Sequence, residues 1–120
     1  FKVTEVLLVC RADGAFRSCR ASGHALFASR GNDIVCAAET IILRTAIDFL
    51  EHSGGILVTK DTASRGKLLF CAEVSETVPL EQRFVALERL KSVADFIRIG
   101  IGSLSGEYPK NVRLLEKTED

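Results

Sequence analysis

Covalent chemistry in this sequence could come from a small set of side chains, because it contains four cysteines and two histidines. Cys36 falls at the predicted start of a helix, where unpaired backbone amides and the helix dipole stabilise a thiolate. His24 lies twelve positions earlier, at the end of a predicted strand. The intervening loop is long enough to bring the imidazole to the sulfur. A thiolate beside an imidazolium is the activated nucleophile of cysteine proteases.

The residue types alone leave two other interpretations of these positions open. In the first, Cys36 is a small buried apolar residue and His24 an ordinary loop histidine. In the second, Cys19, His24 and Cys36 bind zinc, although the paired short spacings and a clear fourth ligand are missing. The prediction is therefore that the chain binds no metal and no cofactor, since phosphate-binding and zinc-protease motifs are also absent from the sequence.

The remaining cysteines and the second histidine are predicted to be structural. Cys10, Cys19 and Cys71 lie in predicted strands, where cysteine usually fills the core. His52 lies at a helix C-terminus, where the dipole favours a cation. Phe27 stands in a loop and is a candidate substrate contact. The other phenylalanines outside the N-terminus are expected to be mostly core by their periodicity, namely Phe16, Phe49, Phe70, Phe84 and Phe96.

Length and charge narrow the functional classes. A chain of 120 residues with 47% hydrophobic residues is typical of one globular domain spanning residues 1–120. Sixteen basic residues balance sixteen acidic ones, which argues against nucleic-acid or membrane binding driven by charge. No signal peptide or membrane span is recognisable, so we expect a cytoplasmic protein with reduced thiols.

The hydrophobic patterning predicts five strands and two helices in the order β-β-α-β-β-α-β. The predicted strands cover residues 3–10, 16–22, 56–60, 67–75 and 111–116, and the helices cover residues 34–52 and 79–104. Residues 116–120 are expected to be a frayed tail. Hairpins joined to helices predict an α+β domain, in which a mostly antiparallel sheet has two helices packed on one face.

Turn and cap residues support these boundaries. Asp13-Gly14 is typical of a hairpin turn, because glycine tolerates positive φ. Asn32 or Asp33 is predicted to cap the first helix, and Thr77 the second. With the helix starting after this cap, residues 25–32 are predicted to form a loop and Cys36 to lie in the first helical turn.

Two segments around the candidate residues resemble a known family. Ser22-Gly23-His24-Ala25, followed by Gly31-Asn32-Asp33-Ile34-Val35-Cys36-Ala37-Ala38, is similar to the signature of the bacterial ribosomal-processing cysteine proteases. In that family a GHA element is followed, after a mobile loop, by a G-x-D-I-V-C-A segment that opens a helix. Two motifs at a fixed separation are more specific than either one alone.

The resemblance implies roles for individual residues. Cys36 would be the nucleophile, His24 the general base, and Asp33 the acidic residue that orients or polarises the site. Gly23 belongs to the GHA element, and Thr40 stands where relatives commonly have serine. In the mechanism that follows from this, amides near Ala37 and Ala38 stabilise the oxyanion.

The resemblance also implies a substrate and a partner. Loop residues 25–32 would close over the substrate, with Ala25, Phe27, Gly31 and Asn32 as its candidate contacts. The substrate would be the precursor of a large-subunit ribosomal protein, from which a short N-terminal extension is removed. Family members also tend to form homodimers. The alternative is a non-catalytic ribosome-assembly module with the same fold.

Overall fold

The predicted order of elements is confirmed by a computed structural model, which describes residues 3–22, 30–61 and 67–120, and for residues 30–33 the backbone alone. The strands are β1 (Thr4–Arg11), β2 (Phe16–Ser22), β3 (Ile56–Asp61), β4 (Lys67–Val74) and β5 (Val112–Glu119). The helices are α1 (Arg30–Glu51) and α2 (Leu80–Glu107). The chain is therefore an α+β domain, as expected.

The five strands form one sheet in the order β3-β4-β2-β1-β5. All neighbouring pairs are antiparallel except β1 and β5, which run parallel. The prediction of a frayed tail is wrong, because β5 continues to Glu119 and pairs along its whole length with β1. A neighbouring strand supplies partners for backbone groups that a free tail would leave to water.

The β1–β2 hairpin closes at the predicted turn. Gly14 has a φ of 90°, a backbone conformation that side chains with a Cβ rarely adopt. The Asp13 carboxylate accepts a hydrogen bond from the Ala15 N–H at 3.0 Å, which holds the turn. The Asp13-Gly14 signal in the sequence is thereby confirmed.

The core lies between the two helices and one face of the sheet. Side chains at alternate positions of the strands point into it, as a pleated strand requires. Phe16 of β2 and Phe70 of β4 stack there with their ring centroids 5.2 Å apart. The strand residues of this core cluster are Val6, Leu8, Cys10, Phe16, Cys19, Ala21, Phe70, Ala72 and Val112. Both helices contribute to the same cluster, so both pack on this face.

The helices pack against each other and cover different parts of the sheet. α1 packs mainly against α2 and β3, whereas α2 contacts β1, β2, β4 and β5. The helices approach closely at Gly100, where a Cβ atom would come within 3.1 Å of the Ile42 side chain. α1 therefore lies along the β3 edge of the sheet. In the described part of the chain, no helix is long and apolar enough to cross a membrane.

Two predictions about the helices are wrong. The residue before α2 is Pro79, which makes no side-chain cap, and the Thr77 hydroxyl bonds to Ser75 Oγ at 2.9 Å instead. Phe49, Phe84 and Phe96 are not core residues, since their exposed fractions are 38%, 67% and 42%. Their periodicity matched a helix but could not indicate which side of it faces the sheet.

Candidate active site

The helix with the candidate nucleophile begins earlier than predicted. α1 starts at Arg30, so Asn32 and Asp33 lie inside its first turn and the prediction that either residue caps it is wrong. Gly31 and Asn32 are poor helix formers, but most helix stability in proteins comes from packing of the apolar face. That packing starts at Val35, which is buried. Cys36 consequently lies in the second turn.

This earlier start changes which amides are available. The described backbone N–H groups without an intrahelical partner are those of residues 30–32, and the dipole acts most strongly on that first turn. Within an α-helix, the N–H groups of Ala37 and Ala38 bond to carbonyls four residues earlier. The helix therefore does not offer these two amides to an oxyanion, and its dipole acts less on the Cys36 sulfur than expected.

Cys36 lies at the border between the core and solvent. Its side chain is half-buried, with buried Val35 on one side of it in the sequence and exposed Ala37 on the other. None of the four cysteines forms a disulfide in the described structure. A nucleophile must be reachable by substrate while remaining held by its surroundings. The position of Cys36 meets both requirements.

The predicted partner of Cys36 falls in a part of the sequence that is not described. His24 lies outside the described residues, as do Gly23, Ala25 and Phe27. The side chains of Asn32 and Asp33 also lie outside the description. The pairing of His24 with Cys36 therefore stays a prediction. It remains compatible with the fold, because β2 ends at Ser22, two residues before His24, and α1 is the next element of the chain.

One side of α1 leads from Cys36 toward the sheet edge. Thr40 and Arg44 follow Cys36 at steps of four, so the three side chains share one side of the helix. Glu51 lies on the same side and forms an ion pair with Lys60 of β3, with 2.9 Å between Glu51 Oε2 and Lys60 Nζ. Thr40 is half-buried and Arg44 is exposed. This row of side chains therefore faces the region beside β3.

A buried acid next to the candidate site was missed by the sequence analysis. Glu39, three residues after Cys36, is only 1% exposed and lies at a position of α1 that faces the core. Burial raises the pKa of its carboxyl to about 7. The spacing of Glu39 from Val35 and Leu43, four residues in each direction, is the signal that could have indicated its burial.

The prediction that strand cysteines fill the core is confirmed for Cys10 and Cys19, which are both buried. Burial raises the pKa of the Cys19 thiol to about 12, with smaller increases from Glu39 and from Cys10. Burial also raises the pKa of the Cys10 thiol, although the nearby Arg98 guanidinium lowers it in part. Neither thiol is suited to be a nucleophile at neutral pH.

Cys71 and His52 differ in how well they match their predictions. Cys71 is half-buried and pairs with Ser18 and Thr59 on the sheet face away from the helices, so it does not fill the core. His52 follows the last residue of α1, and its Nδ1 lies 2.7 Å from the Asp48 carbonyl oxygen. This contact at the helix C-terminus fits the predicted structural role.

Comparison with known proteins identifies the family. The family model described as cysteine protease Prp matches residues 3–113. The chain belongs to this family. As a Prp-family cysteine protease it is a peptide-bond hydrolase, and the resemblance seen in the two sequence motifs is confirmed. No curated protein matches the chain significantly.

Solved structures of low sequence identity share the Prp fold. SMU.848 from Streptococcus mutans is 21% identical with a TM-score of 0.76, and the match covers 98% of this chain and 96% of that one. A ribosomal processing protease Prp from S. aureus, in complex with a substrate peptide, is 17% identical with a TM-score of 0.70, over 96% of this chain and 100% of that one. A complex of S. aureus Prp with a covalently linked product peptide has 20% identity, a TM-score of 0.68 and the same coverage.

Proposed function

We propose that this Prp-family protease removes the N-terminal extension of a large-subunit ribosomal protein precursor in the cytoplasm, using Cys36 and His24 as its catalytic dyad. The family match over residues 3–113 is the observation that carries the proposal. The half-buried position of Cys36 on α1 supports its role, because Cys10 and Cys19 are buried with raised thiol pKa values. The other half-buried cysteine, Cys71, lies on the sheet face away from the helices.

The proposed reaction uses the two side chains in sequence. His24 takes the proton from the Cys36 thiol, and the sulfur attacks the scissile carbonyl carbon to form a tetrahedral oxyanion. When this intermediate collapses, the C–N bond breaks and His24 gives its proton to the leaving amine. Water, deprotonated by His24, then hydrolyses the thioester and restores the thiol. Asp33, in the first turn of α1, orients or polarises this site.

The proposal has a direct test in the host cell. In cells depleted of this protein, mass spectrometry of the large ribosomal subunit should find one protein heavier by the mass of its uncleaved N-terminal extension. Expression of the intact chain should restore the shorter form. A set of ribosomal proteins with identical masses under both conditions would contradict the proposed substrate.

We further propose that two copies of the chain associate through the helix face that points away from the sheet. A hollow between α1 and α2 is lined by Thr45, Phe49, Ser92, Val93 and Phe96. Ile41 and Ile99 lie one helical turn from this hollow and are 65% and 68% exposed. Apolar patches on soluble proteins often mark interaction surfaces. We call Ile41, Phe49, Phe96 and Ile99 the helix-face patch.

A charge placed in the helix-face patch should separate the copies. We expect Ile99→Asp to convert a dimer into a monomer in size-exclusion chromatography with light scattering, because an ionised carboxylate is costly to bury in an apolar interface. Arg113→Asp, an exposed position on β5, is the matched control and should leave the mass unchanged. A monomeric unsubstituted chain at micromolar concentration would refute the dimer proposal.

A further inference from the structure

β3 forms an edge of the sheet beside the helix that carries Cys36. Within the described residues, β3 pairs with β4 on one side only. The other edge strand, β5, lies next to β1 and packs under α2. α1, in contrast, packs mainly against α2 and β3. Of the two sheet edges, β3 is therefore the one next to the candidate nucleophile's helix.

The register shows which backbone groups of β3 point outward. The Ser75 N–H donates to the Gly55 carbonyl at 2.8 Å, and these two residues are the next pair beyond Ile56 and Val74. In an antiparallel ladder the bonded pairs alternate with non-bonded ones. Residues 57, 59 and 61 therefore bond to β4. The N–H and C=O groups of Ile56, Val58 and Lys60 point to the open edge.

This edge runs toward the end of the molecule that holds Cys36. Asp61 at the end of β3 pairs with Leu69, and Ser22 at the end of β2 pairs with Lys67, so both strands end on the same side of the sheet. α1 is the next element of the chain after β2, and its C-terminal end connects through residues 52–55 to the start of β3. The row of side chains that starts at Cys36 reaches β3 at the ion pair between Glu51 and Lys60.

We propose that the open edge of β3 is the docking strand for the substrate, which adds to the sheet as an extended peptide leading to Cys36. The proposal rests on the proposed protease function and states how the substrate is held. Exposed edge strands commonly bind extended peptides by main-chain hydrogen bonds, with alternate side chains giving specificity. Here the donors and acceptors are the outward groups of Ile56, Val58 and Lys60, and alternate substrate side chains face the α1 row at Arg44 and Thr40.

The length of α1 between Cys36 and Glu51 sets the distance from the scissile bond to the substrate residues that hydrogen-bond to β3. Cys36 is fifteen residues before Glu51, or about 22 Å along the axis at 1.5 Å per residue. The paired Lys60 and Glu51 side chains cover part of the distance from Lys60 to Cys36. The extended substrate covers the rest at about 3.3 Å per residue, so the scissile bond should lie about four to six residues from the substrate residue that pairs with Lys60.

The first test compares two substitutions at Lys60. Lys60→Ala and Lys60→Pro both remove the side chain and its ion pair, but only proline also removes the outward N–H. The probe is a labelled peptide spanning the extension junction, bound to chains that also carry Cys36→Ala and followed by fluorescence anisotropy. We expect the Pro variant to bind about 2- to 10-fold more weakly than the Ala variant, the loss of about one hydrogen bond. Thermal unfolding should be similar for both, because an edge strand tolerates proline at an outward N–H.

The second test needs no substitution in β3 and applies even if Lys60→Pro does not fold. Each backbone N–H of the peptide is methylated in turn. Binding should weaken at alternate residues, four or more positions from the scissile bond, because only every second N–H of an added strand faces its neighbour. Losses confined to the residues flanking the scissile bond, or losses without alternation, would overturn the docking strand.

Cleavage of the same peptide by the unsubstituted chain separates the two proposals. If the peptide is cleaved while methylation shows no alternation and the Pro and Ala variants bind equally, the docking strand is wrong and the proposed function stands. If the unsubstituted chain does not cleave the peptide and the Cys36→Ala chain does not bind it, both are wrong. Cleavage together with alternating losses supports both.

Discussion

Replacement of Cys36 by alanine should lower kcat/KM for a peptide spanning the extension junction by at least about 1,000-fold, because the variant has no sulfur to form the thioester. No other described thiol is expected to substitute for it, since Cys10 and Cys19 are buried with raised pKa values and Cys71 lies on the sheet face away from α1. Cys36→Ser should be impaired to a similar degree, because a hydroxyl is deprotonated far less readily than a thiol. For both variants, kcat/KM is measured from the cleaved peptide products, which are quantified by mass spectrometry.

Cys71→Ala is the matched control for this experiment. Cys71 is also half-buried, but it lies on the opposite face of the sheet, so its variant should keep kcat/KM within about 2-fold. Alkylation of the intact chain adds a second readout. A thiolate held by His24 should react well below the pH expected for an ordinary thiol of pKa about 8.5. Cleavage by Cys36→Ala at the unsubstituted rate would rule out the dyad, and an inert Cys36 would favour the non-catalytic assembly module.

Glu39 should make the stability of the protein depend on pH. Burial raises the pKa of its carboxyl from 4.5 to about 7 in the folded state. Between these values the folded state binds more protons than the unfolded state, so stability is greatest below pH 4.5 and falls as pH rises to about 7. This one group should remove about 3 kcal/mol from the free energy of unfolding across that range. Glu39→Gln, which cannot ionise, should lack this part of the pH dependence.

Chemical denaturation at pH 4.5 and at pH 8 measures the effect. The unsubstituted chain and Glu39→Gln should differ in their change of unfolding free energy between the two pH values by about 3 kcal/mol. Glu107→Gln serves as the control because Glu107 is exposed at the end of α2, and it should follow the unsubstituted chain. If the unfolding free energies of the unsubstituted chain and of Glu39→Gln change equally between the two pH values, the Glu39 carboxyl reaches solvent in the folded state.

The element order could be predicted because local signals determine it. Alternating apolar residues and the Asp13-Gly14 turn define the first hairpin, and β2 was predicted with its observed bounds. The errors concern features that depend on tertiary contacts. β5 extends to Glu119 because β1 lies beside it, which its own polar residues do not reveal. α1 starts at Arg30 although Gly31 and Asn32 disfavour a helix, since packing outweighs local propensity.

The candidate site could be predicted from the sequence only in part. Cys36 and His24 are predicted from residue type, spacing and motif, and the family match supports the motif resemblance that links them. Glu39 was missed because its charge suggests a surface position, and only the spacing of its apolar neighbours indicates burial. The helix-face patch was missed for the opposite reason, since phenylalanines at helical spacing suggest a core. In both cases the periodicity is clear, but the side of the helix that faces the sheet depends on the other elements.

The parallel pairing of β1 with β5 has a consequence for how the protein is made. Glu5 and Arg113 bond across these strands although 108 positions separate them in the chain. A ribosome synthesises β1 first, and its partner emerges only after both helices have been translated. Until then, one side of β1 has no neighbour and could pair with other chains. Contacts between such distant residues also slow folding. We therefore expect a nascent chain stalled before Val112 to depend on chaperones and to lack protease activity.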